Sequence, residues 1–120
     1  MNALGTHLLI ELRESDPALL DDLTFIRSTL LSAAQEMGVA VLSDHFHQFS
    51  PQGVTGIISI AESHISIHTW PEFGYAAVDI FTCGTSFEPR QAADYIAGEL
   101  RSNDPEVTEV ERGRLPVLAP

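Results

Sequence analysis

"ESHISIHTW", residues 62–70, alternates as a strand does, with Ile65 and Ile67 on one side and His64, Ser66 and His68 on the other. A period of two with isoleucine on the inner face belongs to a sheet built around a core, yet this strand also carries an acid, two serines, two histidines and a tryptophan. Scaffold and reactive groups are therefore expected in the same segment.

Working outward, "VAVLSDHFHQFS" (39–50) reads as a strand, "PQG" (51–53) as a turn, and "VTGIISIA" (from 54) as its antiparallel partner. Downstream, "TWPEFG" leads into "YAAVDIFTCG" (75–84), a strand by its β-branched and aromatic content. At the start, "LGTHLLIELRE" (4–14) is apolar enough for a central strand. "SDP" (15–17) then supplies a cap with proline at the first helical position. The spacing of Leu19, Leu23, Ile26, Leu30, Ala34 and Met37 predicts one helix up to Gly38. A second helix fits "EPRQAADYIAGELRS" (88–102), with Ala93, Ile96, Ala97 and Leu100 inward, and "EVTEVERGR" (106–114) reads as the last strand. Short connections between strands, with helices before and after the central ones, argue for α+β: a two-layer sandwich of one largely antiparallel sheet with two main helices on one face. The opposite face is left bare, and a homodimer that buries it is expected.

A chain of 120 residues fits a single domain, 1–120, and buries roughly two-thirds of its unfolded surface. The lone Cys83 precludes an internal disulfide, and no apolar run suits a membrane span or a secretory leader, so a soluble cytoplasmic protein is expected. The formal charge of −11, spread without an acidic block, disfavours nucleic acid and anionic membrane and suits a neutral or cationic small ligand. All six basic residues are arginines: Arg13, Arg27, Arg90, Arg101, Arg112 and Arg114. Without lysine there is neither a lysine nucleophile nor the usual anchor for pyridoxal phosphate.

Simpler constellations are poor fits. His45, His47, His64, His68 and Cys83 suggest a zinc site only loosely, because no ligand pair of zinc-binding spacing occurs. A hydrolase triad of Ser63, His68 and Asp79 lacks the GxSxG elbow. His7 and His45 read as satisfied core histidines, Cys83 alone as a small buried hydrophobe, Phe49 as core and Glu72 as a solvated turn residue.

The whole run "ESHISIHTWPEFGYAAVDIFTCG" (62–84) closely resembles the short prokaryotic S-adenosylmethionine decarboxylases, which depend on a pyruvoyl group. "LGTHL" (4–8), "FHQFSPQGVTG" (46–56) and "ERGR" (111–114) extend the likeness over nearly the full chain. The resemblance implies self-cleavage between Glu62 and Ser63 into a β chain, 1–62, and an α chain, 63–120. The serine hydroxyl attacks the preceding carbonyl to give an ester, elimination frees the upstream chain, and residue 63 becomes a pyruvoyl ketone that condenses with the substrate amine. It also implies that His68 moves protons during processing, that Thr55 supplies the assisting hydroxyl where relatives often have serine, and that Cys83 gives a proton to the α-carbon. Phe49, Trp70 and Glu72 then bind substrate, with Phe49 donated across a homodimer of processed protomers. The product would be the aminopropyl donor for spermidine. A same-fold decarboxylase of arginine or ornithine, and a non-processing metal- or ligand-binding relative, are the competing readings.

One difficulty comes from the residues themselves. Ser63 and His68 differ in parity, so a regular strand points them to opposite faces; either a bulge or turn at 62–64 swings the serine round, or the two meet through the strand's end, and the bulge is preferred because bulges collect beside reactive centres.

Overall fold

Alternation becomes pairing in the computed structural model, which describes residues 3–83 and 88–118. The chain runs β1 (Gly5–Arg13), α1 (Pro17–Leu20), α2 (Leu23–Glu36), β2 (Ser43–Gln48), β3 (Val54–Ile60), β4 (Ser63–Trp70), β5 (Tyr75–Cys83), α3 (Pro89–Glu99) and β6 (Asp104–Arg112). Gly84, the last residue of the expected 75–84 strand, lies outside the described residues. The six strands form one sheet in the order β2-β3-β4-β5-β1-β6, with every neighbouring pair antiparallel. The α+β expectation is met.

Period-two patterning decides the layers. Leu8, Ile10, Leu12, Ile58, Ile60, Ile65, Ile67, Val78 and Ile80 turn to one face, where Leu20, Ile26, Leu30, Ala33, Ala34, Ala93 and Ile96 of the helices close over them. Each fully buried leucine or isoleucine contributes about 1.5–3 kcal/mol, so this one-sided core is the main source of stability. Among the described residues the opposite face has no helix. It carries all five histidines (His7, His45, His47, His64, His68) and the exposed Leu9, Ile57, Trp70 and Val110. Among the described residues no helix is long and apolar enough to cross a membrane.

Several boundaries differ from the sequence reading, each for a local reason. The helix expected from 17 to 38 is two, broken at Asp21–Asp22. The Asp16 carboxylate accepts from Ala18 N at 2.9 Å to start α1, and Asp22 accepts from Phe25 N at 3.0 Å to start α2. A second capping aspartate restarts the helix on a new axis, so Leu19 and Leu23 of the expected stripe are only partly buried. The strand expected over 39–50 spans only 43–48, and the last strand occupies 104–112 rather than 106–114. His45 is exposed and His7 half-buried; both lie on the open face, because parity outranks the average burial of histidine.

The first helical turn is tied to the sheet through one buried hydroxyl. Thr69 Oγ1 donates to Leu20 O at 2.7 Å and accepts from Val54 N at 2.9 Å, with Thr69 buried. Thr69→Val keeps the shape but orphans a buried carbonyl and a buried N–H. A loss of about 2–6 kcal/mol is expected, at ~1–3 kcal/mol per unsatisfied group, measured by urea unfolding.

Candidate active site

The β3–β4 hairpin closes with a two-residue turn: Ile60 pairs with Ser63, leaving Ala61 and Glu62 between them. Ala61 has φ +44°, in the left-handed region that costs a residue with a Cβ roughly 1–2 kcal/mol. Local strain thus adjoins the 62–63 peptide bond. Cys83, at the end of β5, donates its thiol to the Glu62 carbonyl at 3.1 Å, and its backbone N–H donates to Ser63 Oγ at 3.4 Å. A hydroxyl, a carbonyl and a thiol are gathered at one turn.

Phe81 backs this cluster, its ring stacked with His64 at 6.0 Å, edge-on to His7 at 5.7 Å and beneath the Arg112 guanidinium at 6.0 Å. The ring fits because Gly5, opposite Cys83, has no side chain: a Cβ there would stand 2.8 Å from Phe81 Cζ and 2.9 Å from Thr82 O.

A second cluster occupies the far end of the same hairpin. Thr55 and His68 are direct cross-strand partners, and Thr55 Oγ1 shares a 3.0 Å hydrogen bond with His68 Nδ1. Beside them Phe49, Gln52, Trp70 and Glu72 help line a cavity of about 290 Å³. That lies just below the ~300–1,000 Å³ typical of small-molecule sites. Trp70 leans on Tyr75 at 5.5 Å between ring centroids, and His47 meets Phe49 edge-on at 4.6 Å.

The two clusters do not meet within one chain. The pairing of β4 with β3 and with β5 is continuous, so the expected bulge at 62–64 is absent. Ser63 and His68 point to opposite faces with Cα atoms roughly 16 Å apart, five residues at ~3.3 Å each. The alternative that they meet at the strand's end fails for the same reason. So does the triad of Ser63, His68 and Asp79: Asp79 instead accepts from Ser66 Oγ at 3.3 Å and faces His7 Nε2 at 3.5 Å. Among the described residues no three of His, Cys, Asp and Glu group closely enough to hold a metal. Reading the sequence missed His64, Phe81 and Gln52 as members of these clusters. Parity could have found the first two, which share Cys83's side of the sheet; Gln52 sits in a loop and gave no such signal.

Burial, with the 2.6 Å hydrogen bond it donates to Glu11, pushes the Tyr75 hydroxyl up to about 12. A folded-state value above the unfolded one, ~10, means that this contribution to stability is complete below pH ~10 and is lost as pH rises toward 12. Tyrosinate absorbance should accordingly show one of the two tyrosines titrating late, and Tyr75→Phe should remove that late step.

His64, His68 and Cys83 on the uncovered face of the sheet, with the Ser63 hydroxyl at the turn where β4 begins, give a layout that suits a two-layer α+β enzyme. The family model for S-adenosylmethionine decarboxylase matches residues 6–113. A protein of Thermodesulfovibrio yellowstonii named S-adenosylmethionine decarboxylase proenzyme is 48% identical over 113 residues, 94% of this chain and 84% of that one. One from a Thermoanaerobacter species with the same name is 50% identical over 94% of this chain and 91% of its own. The crystal structure of the adenosylmethionine decarboxylase from Aquifex aeolicus superposes with a TM-score of 0.88 at 39% identity, covering 96% of this chain and 95% of that one. The chain belongs to the S-adenosylmethionine decarboxylase family.

Proposed function

We propose that this chain is a self-processing decarboxylase of S-adenosylmethionine that makes its own ketone from Ser63 and, having no lysine, uses no pyridoxal phosphate. The observation that carries the reading is the cluster at the Ala61–Glu62 turn, where the Cys83 thiol rests 3.1 Å from the Glu62 carbonyl and Ser63 supplies the adjacent hydroxyl. These residues fit a pyruvoyl group: position 63 begins a strand directly after a strained turn, so cleavage leaves it as a chain end, anchored by the pairing of β4 behind it. In place, the group supplies an electrophilic carbonyl that takes the substrate amine and accepts the electron pair freed as carbon dioxide leaves.

The chain's own residues do the rest. The Ser63 hydroxyl attacks the Glu62 carbon while the thiol hydrogen bond polarises its oxygen. Amide becomes ester, elimination across Cα–Cβ releases 1–62 as a carboxylate, and hydrolysis of the remaining enamine expels ammonia. Departure of the Glu62 carbonyl from 63 frees the Cys83 thiol beside the new terminus, where it can protonate the substrate's α-carbon. His68, oriented by Thr55, serves as the proton carrier for processing.

Because His68 is on the other face and roughly 16 Å along the strand, its partner Ser63 belongs to a second copy. A two-fold contact pairs unlike ends of the same patch, residue i with j and j with i, and so sets the cavity end of one hairpin over the turn end of the other. Leu9, Ile57 and Val110 give the open face the apolar surface for this contact. The small cavity then becomes one wall of a larger site, in which Phe49 and Trp70 stack on the adenine and Glu72 takes the ribose hydroxyls. An aromatic wall suits a nucleoside better than the short chain of arginine or ornithine. The charge of −11 favours approach of a cationic sulfonium. The product serves as an aminopropyl donor for spermidine synthesis, and a reduced thiol suits the cytoplasm.

Intact mass of the wild type should show two fragments parted after Glu62, the second lighter than encoded by one ammonia. Ser63→Ala and His68→Ala should each stay whole when expressed alone. Co-expressed, the Ser63→Ala chain lends its His68, and the His68→Ala chain should then be cut. A His68→Ala chain that cleaves by itself, or remains whole in the mixture, refutes the shared site.

A further inference from the structure

We infer that Asp21 is a positioning residue for substrate binding, acting through the loop that carries Phe49 and Gln52. This rests on the nucleoside reading of the cavity above.

Asp21 is the second-last residue before α2, but Asp22 performs the capping there, which leaves the Asp21 carboxylate free of helix duty. One of its oxygens, Oδ1, accepts from Gly53 N at 2.9 Å and from Gln48 Nε2 at 2.9 Å. The same Gln48 amide nitrogen donates to Gly53 O at 3.0 Å, closing a ring of three residues from a helix junction, a strand end and a loop. Phe49 N also donates to Gly53 O, at 2.8 Å, so the two ends of the 49–53 loop are cross-linked at the point that Asp21 holds. Gly53 is fixed by more than hydrogen bonds. Its φ is +106°, and a Cβ would stand 3.2 Å from Thr69 O, so only glycine lets the loop sit this close to β4.

The consequence falls on the cavity. Phe49, Gln52 and Gly53 form its loop side, Thr55, His68 and Trp70 its strand side, and Glu72 of the turn after β4 closes one end. Phe49 is half-exposed and touches His47 only by an edge, so the loop's anchoring to the helix layer sets where that ring stands. A ring displaced by an ångström loses its stacking geometry while the groups at the 62–63 bond, at the other end of the hairpin, are untouched. Asp21 therefore contributes to affinity rather than to the chemical step.

The test uses the processed enzyme with Asp21→Ala, Asp21→Asn, Gln48→Leu and, as a reference for the pocket, Phe49→Ala. The readouts are kcat and KM for S-adenosylmethionine, the processed fraction by mass, and quenching of Trp70, the only tryptophan, by 5′-methylthioadenosine. Asp21→Ala and Gln48→Leu should raise KM and the quenching constant about tenfold with kcat within about twofold, the pattern of lost ground-state positioning. Asp21→Asn keeps an acceptor for Gly53 N and should recover most of the affinity. The inference is overturned if Asp21→Ala and Gln48→Leu leave KM unchanged while Phe49→Ala raises it, which spares the nucleoside reading. It is also overturned if kcat and processing fall as KM rises, which marks a purely structural role. Failure of Phe49→Ala to alter KM, with no quenching in the wild type, removes the nucleoside reading and the inference with it.

Discussion

Continuous antiparallel pairing of β3 with β4 and of β4 with β5 is the constraint from which the rest follows. A two-residue turn fixes the register, and the register fixes the face of every side chain from Val54 to Trp70. A slip of one residue would send Ile58, Ile60, Ile65 and Ile67 out of the core and bring His64 and His68 into it. Hydrophobic burial therefore enforces the placement of the reactive groups, although none of them lies in the core. The same ladder carries Cys83 to the turn, because β5 ends opposite the residue where β3 gives way to β4.

That constraint also makes a single copy insufficient under the proposed reading. A regular strand cannot fold back within five residues to bring His68 to Ser63, and the pairing of β4 from its first residue leaves no bulge to reverse the parity of Ser63. Symmetry resolves the conflict without local distortion: a second copy presents its far end where the first lacks one. The open face suits such a role, since Ile57 and Leu9 are separated across the ladder by the short side chains of Ser66 and Asp79, and the arginines that reach this face from β1 and β6 lie at its margins. Arg13 pairs with Glu106 at 2.8 Å at one corner, and Arg112 reaches His7 at 3.1 Å at another.

Much of this was legible in the sequence because it depends on period and on local caps. The alternation around Ile65 and Ile67, the Asp16–Pro17 helix start and the bare second face all follow from short-range rules. What was hidden depends on competition between equivalent residues. Either Asp21 or Asp22 has the right chemistry to cap a helix, and only the tertiary demand of Gly53 N for an acceptor separates their roles. His7 was misassigned by average burial when the parity of its neighbours Leu8 and Ile10 already placed it outside. The bulge was inferred from a functional need to join two residues, whereas the backbone meets no such need within one chain.

Thr55 shows how a substitution that looks costly in isolation can be favourable in its frame. A β-branch narrows the rotamers of the hydroxyl, which suggests slower proton transfer if the hydroxyl must search for its partner. Here the partner is directly across the ladder, and Oγ1 already lies 3.0 Å from His68 Nδ1. A restricted rotamer then lowers the entropy lost in holding that hydrogen bond, and the methyl group adds the β-sheet preference of a branched residue. The bond also fixes which His68 ring nitrogen faces the hydroxyl, and under the proposed reading it leaves Nε2 for chemistry. Restriction thus becomes preorganisation, for the same reason that the hairpin places its reactive groups reliably: the ladder has set each direction before any substrate arrives.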